Sequence, residues 1–154
     1  PNCAKFERAF GPTVKSLATS GKVALEYHIL NFLDDNGANQ STIVANGAFC
    51  AADQGKFDAF HDAAYAGQFP EGQSLTVDDI TKFAESAGLS GSALDTWKTC
   101  VKAGKYTKFV TDTNDTAFKI TGFHGTPTVI LNGKILELST PAALESAVAE
   151  ATTK

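Results

Sequence analysis

Apolar residues recur along the chain at two spacings, one helical and one extended, and the change from one to the other marks out the elements. Cys3, Phe6 and Phe10 fall on one side of a helical period and Lys5, Glu7 and Arg8 on the other, as an amphipathic first helix requires. Pro12 should kink or restart that helix. After the break at Gly21, the run Val23-Ala24-Leu25-Glu26-Tyr27-His28-Ile29-Leu30 is short and rich in β-branched, aromatic and other apolar residues, which predicts a largely buried strand. Asp34 to Gln40 reads as a loop. From Ser41 to Gly104 the signals are helical. Ser41 can cap a helix running through Cys50, and Phe57, Phe60 and Ala64 mark one face of the next. Thr76 with Asp79, and Ser92 with Asp95, have capping-box spacing with Asp in place of Glu, while Gly88 and Gly104 stand where helix C-caps belong. A further helix carries Tyr106, Phe109, Val110, Thr113, Ala117 and Ile120 near one face and ends about Gly122. Val129-Ile130-Leu131 and Ile135-Leu136 then flank Asn132-Gly133, the strongest short hairpin signal. Thr140 and Pro141 supply cap and first turn for an Ala-rich closing helix with Leu144 and Val148 inward.

The order is therefore helix, strand, helical block, helix, hairpin, helix. With the block removed, this is a thioredoxin-like topology lacking only its first strand. The expected fold class is α/β. Residues 1–40 and 105–154 form a discontinuous thioredoxin-like domain, residues 41–104 an inserted all-helical subdomain, and the first strand lies upstream of Pro1. A chain of 154 residues that is 43% apolar suits a compact globular unit. Thirteen basic against seventeen acidic side chains give a net charge of −4, and no window concentrates Lys and Arg, so nucleic acid and anionic membrane are poor partners. The apolar stretch from Val23 to Leu33 is interrupted by Glu26, His28 and Asn31 and is far too short to span a bilayer. The chain has no Met, which fits a processed or truncated product whose signal peptide or anchor lay upstream.

Candidate chemistry centres on sulfur. Pro1-Asn2-Cys3 reads as the last three residues of a Cys-x-x-Cys redox motif whose first Cys would precede Pro1. In a thioredoxin-like architecture that motif lies where the first strand meets the first helix, so the outer thiol meets the exposed amides and positive end of the helix dipole. The outer Cys would then be the nucleophile and Cys3 the more buried resolving thiol. Two widely spaced cysteines, Cys50 and Cys100, together with a redox-type Cys fit an oxidising space better than a reducing cytosol.

Four segments resemble the DsbA-like thiol:disulfide oxidoreductases, thioredoxin folds with a helical insertion. Pro1-Asn2-Cys3-Ala4-Lys5-Phe6-Glu7 is similar to the tail of that family's active-site motif, and Tyr27-His28-Ile29-Leu30-Asn31-Phe32 to the strand and loop that follow. Phe57-Asp58-Ala59-Phe60-His61-Asp62 resembles an aromatic-His helix of the insertion, and Phe123-His124-Gly125-Thr126-Pro127-Thr128-Val129 the cis-proline loop with its strand. The resemblance implies a cis Thr126-Pro127 bond beside Cys3, with Thr126 and Pro127 binding an extended substrate peptide. It places His124 near the redox centre, where a positive charge would favour a thiolate; the alternative is an ordinary loop histidine. It also implies a structural disulfide between Cys50 and Cys100, against the alternative of two buried thiols acting as small apolar residues. The function implied is an extracytoplasmic oxidase, periplasmic or at the cell surface, with or without a membrane anchor. It would introduce disulfides into exported proteins through a Cys-Pro-Asn-Cys site, act as a monomer without a cofactor, and be recharged by a membrane reoxidase of the DsbB or vitamin K epoxide reductase type. A reductase or isomerase on the same fold, and a non-enzymatic thioredoxin-like binding protein, are the alternatives.

Other residues carry less. His28, His61 and His124 make no close ligand pair with the cysteines, so no metal site is expected, and His28 and His61 read as structural. Glu26 reads as a charge emerging at a strand edge. A serine-hydrolase elbow is missing. Asn39-Gln40-Ser41 and Asn114-Asp115-Thr116 match glycosylation sequons, the second inside an expected helix.

Overall fold

In a computed structural model, which describes residues 2–35 and 37–152, the elements run α1 (Asn2–Thr19), α2 (Gln40–Ala52), α3 (Phe57–Ala66), α4 (Val77–Ser86), α5 (Gly91–Lys102), α6 (Thr107–Ala117), β1 (Val129–Leu131), β2 (Lys134–Leu136) and α7 (Pro141–Thr152). Packing groups them into two compact units. One holds the chain up to Tyr27 together with Phe118 onward; the other is His28–Ala117.

In the first unit α1 continues through Pro12 instead of restarting there. Proline removes one helical N–H and leaves the Arg8 carbonyl without its donor, but Arg8 and Pro12 are both exposed, so water can take that place. The buried residues Phe10, Leu17, Leu144 and Val148 join α1 to α7, with Phe6, Val14, Val129, Leu131 and Leu136 packed around them. Phe6 and Phe10 stack with ring centroids 4.6 Å apart. The hairpin pairs Val129 with Leu136 and Leu131 with Lys134 in antiparallel register. Asn132 and Gly133 both take positive φ, 48° and 79°, as a two-residue primed turn demands. Thr140 Oγ1 accepts the Ala143 N–H and caps α7.

The run Val23–Leu30 is not a strand. Among the described residues only β1 and β2 form a ladder, and this segment belongs to none, so its β propensity has no neighbouring strand to act through. Nor is it largely buried: Leu25 is 40% exposed, Glu26 and His28 are exposed, and Val23 and Ile29 turn towards different cores.

The second unit is helical throughout. Ser41 does not cap α2; the cap comes from the preceding loop, where the Asp34 carboxylate accepts the backbone N–H groups of Ser41 and Thr42, each at 2.7 Å. The Thr76–Asp79 capping box is formed, with the Thr76 N–H donating to Asp79 Oδ2 at 2.7 Å; these bonds from Thr76 hold the Asp79 carboxyl below its ordinary pKa. At α5 the N-cap is Ser90, two residues before the expected Ser92, whose position is already inside the helix. Gly88 and Gly104 close α4 and α5 at φ 87° and 61°, with Leu89 N–H returning to Ala84 O and Lys105 N–H to Cys100 O. Helix α6 ends at Ala117, short of Gly122, and Ile120 and Phe109 are exposed instead of facing inward. Residues 28–40 and 105–117, expected with the thioredoxin-like portion, pack in this unit because Asn31 and Asp34 bond to α2 and Asn46 binds the Tyr106 N–H.

Its core is built on Phe60, Ile80, Trp97, Val110 and Cys50. Trp97 donates its indole N–H to the Gly47 carbonyl at 2.8 Å, which requires α2 to come close. A Cβ on Gly47 would lie 3.0 Å from Phe60 Cζ, 3.2 Å from Ile80 Cδ1 and 3.2 Å from Trp97 Cζ2. Gly47→Ala should gain about 1 kcal/mol of helix propensity. Overpacking against three fully buried side chains costs about 1–3 kcal/mol, so net destabilisation is expected in a chemical denaturation curve. A variant more stable than the parent would show that these neighbours can move aside.

Cys50 on α2 and Cys100 on α5 are joined by a disulfide across 50 residues of sequence. On the chain-entropy relation a loop of that size stabilises by roughly 4 kcal/mol. Beside it, Lys105 Nζ donates to Asp53 Oδ2 at 2.8 Å and the Tyr106 hydroxyl to Asp53 Oδ1 at 2.5 Å. Lys105 first, then Tyr106, hold the Asp53 carboxyl below its ordinary pKa. The stabilisation they give is therefore complete above the unfolded carboxylate pKa and is lost as pH falls through the lowered one.

Candidate functional site

Cys3 is the second residue of α1, half-buried, and the only free cysteine among the described residues. Its Sγ lies 3.2 Å from Thr126 Oγ1, a bond between residues 123 apart in sequence and within one compact unit. Ala4 and Phe10 are buried on the same helix and anchor its inner face, which fixes where the thiol of Cys3 can reach.

Thr126 reaches that thiol because of the loop that carries it. Phe123 N–H closes a turn onto the Ile120 carbonyl at 3.0 Å, and Gly122 takes φ 84° with its missing Cβ facing Ile135 Cδ1 at 3.4 Å. Gly125 adopts φ 135°, a conformation nearly closed to residues with a Cβ, and its carbonyl accepts the Thr128 hydroxyl. Thr126–Pro127 is cis, and β1 begins two residues later.

A hydroxyl can donate one hydrogen bond and accept two. Thr126 Oγ1 accepts from the Cys3 thiol in this arrangement and, by rotating, can donate to the same sulfur when it is a thiolate. Neither change moves the backbone. Pro127 has no N–H and is exposed, so the loop lacks a backbone donor at that position.

The remaining sequence candidates divide clearly. Asn2 opens α1 and is exposed; Pro1 lies outside the described residues. His124 is exposed on the Thr126 loop. Cys50 and Cys100 belong to the other unit and are bonded to each other. His61 is buried between the rings of Phe57 and Tyr65, at 5.8 and 4.8 Å, which makes it a packing residue. Of the sequons, Asn39 is committed to Leu75, donating to its carbonyl at 2.9 Å and accepting its N–H at 2.7 Å, and Asn114 Oδ1 is buried. Among the described residues no group of three His, Cys, Asp or Glu side chains could hold a metal ion, and no helix is long and apolar enough to cross a membrane.

Sequence reasoning named Thr126 for substrate contact and missed its bond to Cys3. It also missed Asp34, Asn46 and Asp53. A signal existed for Asn46, the lone amide in the apolar run Ile43-Val44-Ala45-Asn46-Gly47-Ala48. None existed for the others.

The sequence model of the thioredoxin family matches residues 1–150. A solved structure of the disulfide bond oxidoreductase DsbG from Mycobacterium tuberculosis superimposes with a TM-score of 0.79 and 33% identity, covering 99% of this chain and 73% of that one. The reduced DsbA of the same organism gives 0.79 and 32%, covering 99% and 77%. Among curated proteins, the serine/threonine-protein kinase PknE of M. tuberculosis is 24% identical over 155 residues, 94% of this chain. The chain spans only about a quarter of that kinase, 27% of its length.

Proposed function

Since the chain belongs to the thioredoxin family, among its DsbA-like thiol:disulfide oxidoreductases, we propose that it is an extracytoplasmic oxidase that passes a disulfide to exported proteins. The observation that carries this reading is the Cys3 Sγ–Thr126 Oγ1 bond beside the cis Thr126–Pro127 peptide. In this reading a Cys immediately before Pro1 completes a Cys-Pro-Asn-Cys disulfide with Cys3.

A substrate thiolate attacks the outer sulfur, the bond to Cys3 breaks, and Cys3 leaves as a thiolate to which Thr126 can donate. A second substrate thiolate then attacks the substrate sulfur of the mixed disulfide and expels the outer thiolate. The substrate loses two electrons and two protons, and the site is left as a dithiol. Run in reverse, Cys3 is the resolving thiol. Thr126, Pro127 and His124 would line the substrate strand, with a membrane reoxidase of the DsbB or vitamin K epoxide reductase type accepting the electrons. The Cys50–Cys100 disulfide supports an oxidising compartment.

A second reading is favoured by the kinase relative: a thioredoxin-like module that binds or senses within a larger protein without turnover. Oxidative refolding of a reduced, disulfide-containing substrate separates the two. The full-length protein should raise the rate well above the uncatalysed background; no acceleration would leave the binding module as the better account.

A further inference from the structure

The Cys50–Cys100 bridge is doubled by a second tie. Asp53 caps α2 three residues past Cys50, and Lys105 and Tyr106 follow α5 directly after Gly104, so the Asp53 carboxylate links the same two helix ends that the sulfurs link. Lys105 Nζ also lies 5.0 Å from the Tyr106 ring centroid. Beneath them the buried Asn46 donates to the Val101 carbonyl at 3.0 Å and accepts the Tyr106 N–H at 2.9 Å. Its Oδ1 is also 3.9 Å from Cys50 Sγ, within range of a thiol S–H once the bridge is open. Cys50 is 1% exposed, whereas Cys100 is partly accessible.

We propose that this carboxylate latch holds reduced Cys50 and Cys100 in bonding range, so that the helical unit remakes its own disulfide whatever happens at Cys3. A small-molecule disulfide is the oxidant. The accessible Cys100 thiolate attacks it and expels one thiolate, forming a mixed disulfide. Cys50 then attacks the Cys100 sulfur and expels the second. The two cysteines give up two electrons to the oxidant's two sulfurs and two protons to solvent. The second step is intramolecular, so its rate follows the fraction of molecules in which the two helix ends stay closed.

The test uses the protein in a Cys3→Ser background, reduced and then exposed to oxidised glutathione, with bridge re-formation followed by mass spectrometry. In parallel, alkylation of Cys50 reports opening of the latch. An exposed charged network of this kind shifts a local closing equilibrium by about fivefold. Asp53→Ala should slow the second step, and speed Cys50 alkylation, by about that factor, and Tyr106→Phe, which leaves the Lys105–Asp53 pair, should do both by a smaller factor. Tyr106→Phe keeps the ring and loses only the hydroxyl bond. Asp112→Ala removes the exposed Lys108–Asp112 pair on α6 and should change neither rate. Rates for both latch variants matching the parent, or an equal effect from Asp112→Ala, would overturn the proposal.

Discussion

Full-length protein carrying Cys3→Ala is expected to lose disulfide transfer down to the uncatalysed background and to accumulate as mixed disulfides. The substitution removes one sulfur and leaves the helix intact, because alanine suits the second position of α1 and the buried anchor Ala4 is untouched. The outer thiol of the proposed Cys-Pro-Asn-Cys site would then have no partner with which to form the disulfide it donates. It can still attack an oxidised substrate, but no neighbouring sulfur releases the product. Non-reducing electrophoresis with and without added thiol would show the adducts, and a refolding assay the loss of rate. Parental activity in Cys3→Ala would remove Cys3 from the chemistry and with it the site assigned around Thr126.

Trp97→Ala should destabilise the helical unit by about 3–5 kcal/mol, the range for removing a large buried aromatic side chain. Trp97 is 0% exposed, its ring centroid is 5.7 Å from that of Phe60, and its N–H is bonded to Gly47. Phe60, Ile80 and Gly47 belong to three different helices, and backbone that is cross-linked at Cys50 and Cys100 has little freedom to close the void. Against a typical domain stability of about 5–15 kcal/mol, such a loss takes about a fifth or more of the total. Denaturant titration followed by circular dichroism gives the value, since the variant lacks the chain's single Trp as a fluorophore. A loss under about 1 kcal/mol would contradict the packing around Gly47.

What could be read from the sequence was whatever the chain decides over a few residues. Asn132-Gly133 dictates its turn, Thr76 and Asp79 cap within three positions, and Gly88 and Gly104 end helices by conformation alone. The loop around Thr126-Pro127 was legible by resemblance, and so was the Cys50–Cys100 bridge. What depended on distant partners was not. Val23–Leu30 has the composition of a strand, but a strand is made by joining a ladder, and the ladder among the described residues does not include it. Asp34 caps α2 from seven residues before Ser41, outside any capping-box window. Asn46 and Asp53 take their roles from residues more than fifty positions away, and the Cys3–Thr126 bond joins residues 123 positions apart.

That last bond bears on recognition. If a single hydroxyl turning in place accommodates Cys3 both as thiol and as thiolate, the loop presents the same contour to either form of the sulfur. A molecule that must distinguish the two states then has no change of shape to grip. It has to sense the charge on sulfur, and salt in the medium would blunt its discrimination more than any remodelling of the surface.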